Sequence, residues 1–597
     1  MKNIIWIAIT ISFILLSLES SAQYRWEWAK ARCSNTDTVS GMDEAWSVAT
    51  DHYAHVYGAG SSNGNHARFD TFNYVNSYGT GNFYIYLVKY DTSGAVKYSK
   101  FFSSGHCGYS WPSCIVTAPN GSVYLSGSFL GDTINIDHIS LSSAGGSQSN
   151  FIAKFDSSGN VIWAKTLPGS GELGLMALDH SGHLYYANEF GGDSIVLGHD
   201  TLRNRGMHQI YWAKLDTNGH HLWAKGTDSD TTTSMNFLYG LTVDVSGNLL
   251  FTGSLMGKTY LDTATYATTY SAAYSRIFVA KYDSLGNRLW VKTPGGVSHY
   301  SGMGMSTGWY PGDAGKAIAV DSQGFIYCSG NFSAHHIYFD NDTLYSYHEG
   351  HYSMYLSKFD PSGNTIWAKR FPQGLPYTML IDSVGQKIWI SGQMWDSIAY
   401  FDTFTAYRTD TNLFRYNASD GSFIAQFDSS GFTKYVSVMD RGGDDNNGIA
   451  VDDVGNIYFC GDYVSNYYGD GRFIFGNDTL PVLAGSSENF FIAKLAGPWV
   501  RPTDTTHTDT THHLGLSYPI RKDLLIYPNP NNGIVTIEYA ANCEVAFYDV
   551  TGRVLLRAEI STDKQVLNIS ALPMGVYAVD IIDKATGTKV VQKLLKE

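Results

Sequence analysis

Few residues in this chain stand at a spacing that could do covalent chemistry. Gly304-Met-Ser306-Thr-Gly308 and Gly60-Ser-Ser62-Asn-Gly64 both fit the Gly-x-Ser-x-Gly pattern of a nucleophilic serine. That pattern works where a sharp strand-to-helix turn of an α/β sheet forces the serine outward. Here both copies fall in glycine-rich stretches of a β repeat, so chance accounts for them. His507, His512 and His513 stand among aspartates and could ligate a metal, but nothing in their spacing fixes a coordination geometry, and a solvated spacer explains them better. The sequence contains no His-Glu-x-x-His helix, phosphate-cradling glycine loop or Cys-x-x-Cys knuckle. A glycosidase or lyase needs only two well-placed carboxylates, yet the recurring aspartates here are absorbed by turns. The reading is a protein without a catalytic residue, metal site or cofactor.

Binding chemistry remains. Residues 74–83, 299–312 and 400–416 depart from the repeat and are rich in aromatic and polar side chains. Aromatic faces stack on sugar rings or anchor protein partners. Within the second stretch Tyr300, Trp309 and Tyr310 are the candidate binding residues, with loop filler as the plain alternative.

These loops must be held by something, and the frame is a two-part phrase repeated along the chain. Its clearer half reads Phe151-Ile-Ala-Lys-Phe-Asp156…Gly159…Trp163-Ala-Lys165 and returns around Trp212, Val279 and Leu356, with looser copies at residues 85–100 and 423–436. The other half is exemplified by Ala317-Ile-Ala-Val-Asp321-Ser-Gln-Gly324-Phe-Ile-Tyr327, with counterparts centred on Asp51, Asn120, Asp179, Asp244, Asp382 and Asp452. A period of roughly 60–75 residues marks one supersecondary unit copied many times. Asp opens each turn because its carboxylate bonds backbone amides within it, and Gly closes it because it tolerates positive φ. Apolar, β-branched and aromatic flanks read as strands, so each unit is two hairpins. A shorter phrase, such as Ile337-Tyr-Phe-Asp340-Asn-Asp-Thr343-Leu344, is an excursion between the second and third strands.

Four strands cannot bury both faces alone, and seven such units favour radial closure over an open solenoid. The last unit stops at Phe490-Phe-Ile-Ala-Lys494-Leu, while Trp26-Glu-Trp28-Ala-Lys30 stands alone near the N-terminus. The expected fold is therefore an all-β, seven-bladed propeller over residues 23–497, closed by an N-terminal strand that removes the open edges. The recurrent Trp163, Trp223, Trp290 and Trp367 are read as packing between blades rather than as a cofactor-docking set. Charged residues at 16%, aromatics at 14%, 61 glycines and 42 tyrosines suit a turn-dense exported β protein. The formal net charge of −14 argues against nucleic acid or an anionic membrane surface as partner.

Residues 1–22 read as a secretory signal, with Lys2, an apolar run and small residues before cleavage between Ala22 and Gln23; the run is too short for a membrane anchor. The mature protein is not expected to be integral to a membrane. Residues 498–520 are a Thr/Asp/His-rich linker with little to bury. Six cysteines in an exported chain invite disulfides. Cys107 and Cys114 could close a loop between the first two blades. Cys328 and Cys460 fall at equivalent positions in non-neighbouring blades and read as buried thiols, and Cys33 and Cys543 look unpaired.

Residues 521–597 form a separate β module containing Tyr527-Pro528-Asn529-Pro530…Gly533, Asp549-Val-Thr-Gly552-Arg, Leu572-Pro-Met-Gly575-Val-Tyr577 and the basic end Lys593-Leu-Leu-Lys596. This module resembles the type A sorting domain of the type IX secretion system of Bacteroidetes. The resemblance implies a small β-sandwich read by the type IX translocon and usually cleaved, the product being released or attached to the surface. The propeller phrases are similar to the bacterial seven-bladed β-propeller repeat family, with degenerate first and sixth units: Lys97-Tyr98 replaces the Trp region, and Gln426 replaces Lys. Neither resemblance carries a catalytic residue. The functional expectation is an exported, non-catalytic propeller binding glycan or protein, the alternative being an exported polysaccharide hydrolase or lyase.

Overall fold

The structure, a computed structural model, describes residues 24–31, 42–76, 81–104, 108–143, 148–169, 171, 174–229, 234–261, 264–267, 275–295, 312–346, 352–382, 386–395, 398–402, 404–407, 421–439, 448–464, 473–475, 478–480, 488–497, 525–527, 534–538, 543–548, 553–562, 564–573, 575–584 and 589–596. Its regular elements are all strands, and no helix among the described residues is long and apolar enough to cross a membrane. The chain divides into two compact units, Met1–Val500 and Arg501–Glu597.

The repeated phrase folds as a four-stranded antiparallel meander. The first is Asp43–Thr50, Val56–Ser62, Tyr84–Tyr90 and Val96–Ser103, each strand pairing with the next. Seven such meanders are traceable among the described residues; the fifth and sixth share the 18-residue strand Thr365–Asp382. The seventh comprises Gly448–Val451, Ile457–Val464 and Glu488–Ala496, and its fourth strand is Arg25–Ala31 from the other end of the chain. The excursions are two-stranded hairpins between second and third strands, for example His336–Phe339 with Asp342–Tyr345.

Turn aspartates do what their type demands. Asp244 Oδ1 accepts from the amides of Ser246 and Asn248, both at 2.9 Å, while Gly247 takes φ +77°. The lysine of the third strand reaches back to the same carboxylate: Lys281 Nζ lies 3.0 Å from Asp244 Oδ2, and Lys214 Nζ 3.1 Å from Asp179 Oδ2. In these two sheets the Asp and Lys form one buried pair, each satisfying the other.

The fourth-strand aromatics join neighbouring meanders. A Cβ on Gly219 would lie 2.9 Å from the Trp163 ring, one on Gly286 3.1 Å from Trp223, and one on Gly363 2.8 Å from Trp290. Each indole covers the second-turn glycine of the next sheet and donates to its turn carbonyl, Trp223 Nε1 to Ser284 O at 3.2 Å and Trp290 Nε1 to Pro361 O at 3.1 Å. Tyr98 performs the same covering over Gly159 for the first sheet. Trp28 covers Gly94 of the first sheet and donates to Thr92 O at 3.1 Å, so the N-terminal strand makes this same covering contact between the seventh sheet and the first.

The excursions register the fourth strands. Asp342 Oδ2 accepts from Ala368 N at 2.9 Å and Asp200 Oδ2 from Ala224 N at 2.7 Å. In the seventh sheet Asp478 Oδ2 accepts from Ala29 N at 2.9 Å. Ala224, Ala368 and Ala29 each stand in a Trp-Ala-Lys triplet, so the strand from the N-terminus occupies the same register as its sequence match.

In the C-terminal unit, Leu525–Tyr527, Ile534–Glu538 and Lys564–Asn568 form one sheet. Val554–Ile560, Cys543–Tyr548, Gly575–Asp583 and Lys589–Lys596 form another. Val535 and Ile537 from the first and Val545, Phe547, Tyr577, Val579 and Ile581 from the second bury one apolar cluster.

Candidate functional site

The first strands of the seven meanders neighbour one another in chain order, and Gly448–Val451 of the seventh neighbours Asp43–Thr50 of the first. Hydrogen bonds cross these junctions. Thr50 Oγ1 donates to Val451 O at 2.6 Å, Thr117 Oγ1 to Thr50 O at 2.5 Å, and Ser126 Oγ to Gly174 O at 2.5 Å. Further round, Leu238 N donates to Glu189 Oε1 at 2.9 Å and Ser254 Oγ to Asp313 O at 3.0 Å.

Five of these strands break register at the same place. Bulges fall between Ala45 and Ser47, Pro112 and Cys114, Leu238 and Gly240, Gly315 and Ala317, and Pro376 and Thr378. The extra residues are Trp46, Ser113, Tyr239, Lys316 and Tyr377. A bulge re-aims one side chain out of the pleat, and such bulges gather next to sites. Each of these residues precedes by five the position that opens the first turn. The repeat holds its frame there and varies the residue.

The side chains at this level are polar and aromatic. Trp46 Nε1 donates to Glu44 Oε2 and Ser61 Oγ, both at 3.1 Å, and Ser61 Oγ donates to Glu44 Oε2 at 2.9 Å. Tyr377 OH and Trp395 Nε1 donate to Gln393 Oε1 at 2.9 and 3.2 Å. Lys316 Nζ stands 3.4 Å from the centroid of the Tyr239 ring, a contact between the fourth and fifth sheets. Glu189, from the third sheet, has His208 Nδ1 3.7 Å from its Oε2. Burial drags the Lys316 pKa down to about 7, with the Glu189 charge pulling the other way. Burial also lowers His208, against a hydrogen bond with Asn236 O.

Tyr300, Trp309 and Tyr310 lie outside the described residues, as do Ala22, Gln23, Pro528, Asn529, Pro530, Gly533 and Gly552. Gly575 opens the strand Gly575–Asp583, and Lys593 lies on Lys589–Lys596. Lys596 is buried, its Nζ donating to Leu572 O at 2.7 Å and Ser570 O at 3.3 Å, so the basic end of the module fastens its last strand. Tyr577 OH donates to Pro573 O, which ties together the Leu-Pro-x-Gly-x-Tyr phrase.

Of the bridge weighed between Cys107 and Cys114, Cys107 lies outside the described residues, and Cys114 carries a free thiol. Its Sγ is turned to the third sheet, 3.9 Å from Met176 O, and burial raises its pKa to about 11, which keeps it protonated. Cys328 and Cys460 are free and buried as expected, and Cys543 is also free. Ser62, the serine of one nucleophile-like pattern, is buried in the strand Val56–Ser62 and accepts from Gly64 N at 3.1 Å. No group of three or more His, Cys, Asp or Glu among the described residues could hold a metal ion.

The bulge set is what sequence reasoning missed. Its signal was variation at a fixed offset, not a shared residue type.

Comparison with known proteins gives the address first. A model described as a secretion system C-terminal sorting domain matches residues 525–597. The chain carries a type IX sorting tail, which directs it to the outer cell surface or to release, through contact with the type IX machinery. A search of curated proteins finds no match. Among solved structures the chain is similar to an apocarotenoid oxygenase mutant of Synechocystis, at 9% identity and TM-score 0.32, over 74% of this chain and 89% of that one. It is also similar to the phage phi92 endosialidase, at 10% and 0.34 over 95% and 87%. A third is PorZ, a surface component of the type IX secretion system of Porphyromonas gingivalis, at 11% and 0.14 over 95% and 100%. Likeness at these TM-scores carries no argument.

Proposed function

We propose that residues 23–497 form a seven-bladed β-propeller, closed by the N-terminal strand, that binds glycan or protein at the cell surface or after release and does not turn it over. The closure is supported by Trp28 on Gly94 and by Asp478 on Ala29, which repeat contacts made inside the other sheets. Binding at the convergence of the first strands is supported chiefly by one observation: a conserved frame with a varied residue at the bulge, as Trp46, Ser113, Tyr239, Lys316 and Tyr377. A rigid scaffold presenting varied side chains is how repeat folds acquire ligands. Half-buried Trp46, Tyr239 and Tyr377 offer the flat faces that sugar rings or protein anchors use.

The test is a glycan array probed with the mature chain, run beside product analysis of each glycan that binds. Binding without turnover that is weakened by Trp46→Ala or Tyr377→Ala supports the reading. Turnover sinks the non-catalytic part of it. Silence across the array moves the search to protein partners, by crosslinking at the cell surface.

A further inference from the structure

Among the described residues, Lys316 has no counter-charge at contact. Only 8% of it is exposed, and among the described residues no hydrogen-bond acceptor or carboxylate meets its Nζ. The repeat does not require it: the equivalent bulge residues are Trp46, Ser113, Tyr239 and Tyr377. The third-strand lysines of the frame have polar partners, whereas Lys369 of the fourth strand, like Lys316, has an aromatic ring and, among the described residues, no hydrogen-bond acceptor. Lys214 and Lys281 lie 3.1 and 3.0 Å from turn aspartates, and Lys494 lies 2.7 Å from Glu27. A buried charge is costly unless paired, so an unpaired lysine at a bulge is placed there for something that arrives.

The surroundings define what can arrive. Tyr239 from the fourth sheet provides an aromatic face at 3.4 Å. Glu189 from the third sheet is already engaged, accepting from Leu238 N at 2.9 Å and standing 3.7 Å from His208. Glu189 is the charge that acts on Lys316 from a distance, and it does not neutralise the ammonium by contact. The Tyr239 ring backs the amine on one side, so an incoming anionic group of a sugar meets Nζ from the side away from the ring. We propose that Lys316 recognises the carboxylate of an acidic glycan, a uronate-containing chain, seated on the bulge residues. This rests on the glycan-binding reading above. The net charge of −14 does not oppose it, because dispersed charges are screened over about 8 Å at physiological salt and the recognition is a contact.

Proton linkage follows. The free amine sits near half-protonation at neutral pH, since burial lowers its pKa to about 7. Carboxylate binding stabilises the charged form, so the complex takes up roughly one proton at about pH 8, and affinity weakens as pH rises above 7.

The experiment is titration calorimetry of the mature chain with oligogalacturonate and with its methyl ester, in two buffers of different ionisation enthalpy. The expected result is binding of the acid in preference to the ester, with buffer-dependent heat that reports proton uptake. Lys316→Met should weaken binding by about tenfold or more, while Lys316→Arg keeps it and loses the proton uptake. A circular dichroism melt establishes that each variant is folded. Equal binding of acid and ester, absence of proton uptake, or an unaffected Lys316→Met overturns the inference. If the array then shows neutral glycans bound through Trp46 and Tyr377, the broader function stands and this inference alone falls. Failure of every glycan removes this inference and leaves only the protein-binding half of the broader reading.

Discussion

Asp313 has one carboxylate oxygen satisfied and one left over. Its Oδ1 accepts from Ser333 N at 3.0 Å and Ala334 N at 3.4 Å, while buried Oδ2 has no partner. Burial raises its pKa to about 6 against the pull of those two amides and of Arg276. An aspartate ionises near 3.9 when unfolded, so between about pH 4 and pH 6 the folded state holds a proton that the unfolded state has lost. Stability must then fall as pH rises through that window and level off above it. Asp313→Asn keeps the Oδ1 acceptor and removes the charge. The variant should lack this slope and gain on the order of 1–3 kcal/mol at neutral pH. Urea denaturation of both proteins across the window checks it, and an identical slope in the variant assigns the titration elsewhere. Sequence could not mark this residue. Nothing in its neighbours' types distinguishes Asp313, and only the fold shows it buried just before the strand Ala314–Val320.

At the scale of the element, the Trp and the turn glycine act as one contact. Gly286 sits at φ +83° with the Trp223 ring 3.1 Å from where a Cβ would be. Trp223→Ala should cost about 2–4 kcal/mol through lost packing and an orphaned Ser284 carbonyl, and Gly286→Ala at least about 1 kcal/mol from backbone strain alone. Chemical denaturation reads both; because they break one junction, the double variant should fall short of the sum of the singles. This contact was legible beforehand, since Trp and Gly recur at fixed places in the phrase. The role of the third-strand Lys was not, because its partner aspartate belongs to a different hairpin, about 37 residues away in the case of Lys281 and Asp244 by their numbering. The degenerate sixth unit now has a reason. In the second sheet Lys and Trp address the second turn of the next sheet, Lys154 and Trp163 both at Thr217 O. The seventh sheet closes with a strand from the N-terminus and has no second turn to address. There Gln426 Nε2 donates to Tyr24 OH, and Tyr435 lies 5.1 Å from the Tyr24 ring. The departures from the repeat mark where the chain joins itself.

In the proposed propeller the N-terminal unit depends on that join. Residues 25–31 pair with Glu488–Ala496 over six register positions, place Trp26 4.8 Å from Phe475, and set Glu27 against Lys494. Removing residues 24–31 exposes a long apolar edge, Glu488–Ala496, and uncovers Gly94 of the first sheet at once. The loss combines a covered indole, a paired strand and the Asp478 cap on Ala29, on the order of 5 kcal/mol, and an exposed edge invites pairing with other chains. The truncated chain should therefore show a lower denaturation midpoint and aggregate in proportion to concentration. A synthetic peptide spanning residues 24–31 should restore both, because the missing strand is bound by contacts rather than by its covalent connection. Trp28→Ala in that peptide should rescue poorly, since it can pair with the edge but cannot cover Gly94. If the truncated chain melts like the full one, the N-terminal strand does not carry the proposed closure. If the peptide fails where the intact chain succeeds, the covalent tether supplies the effective concentration that the strand needs, and closure is an intramolecular event.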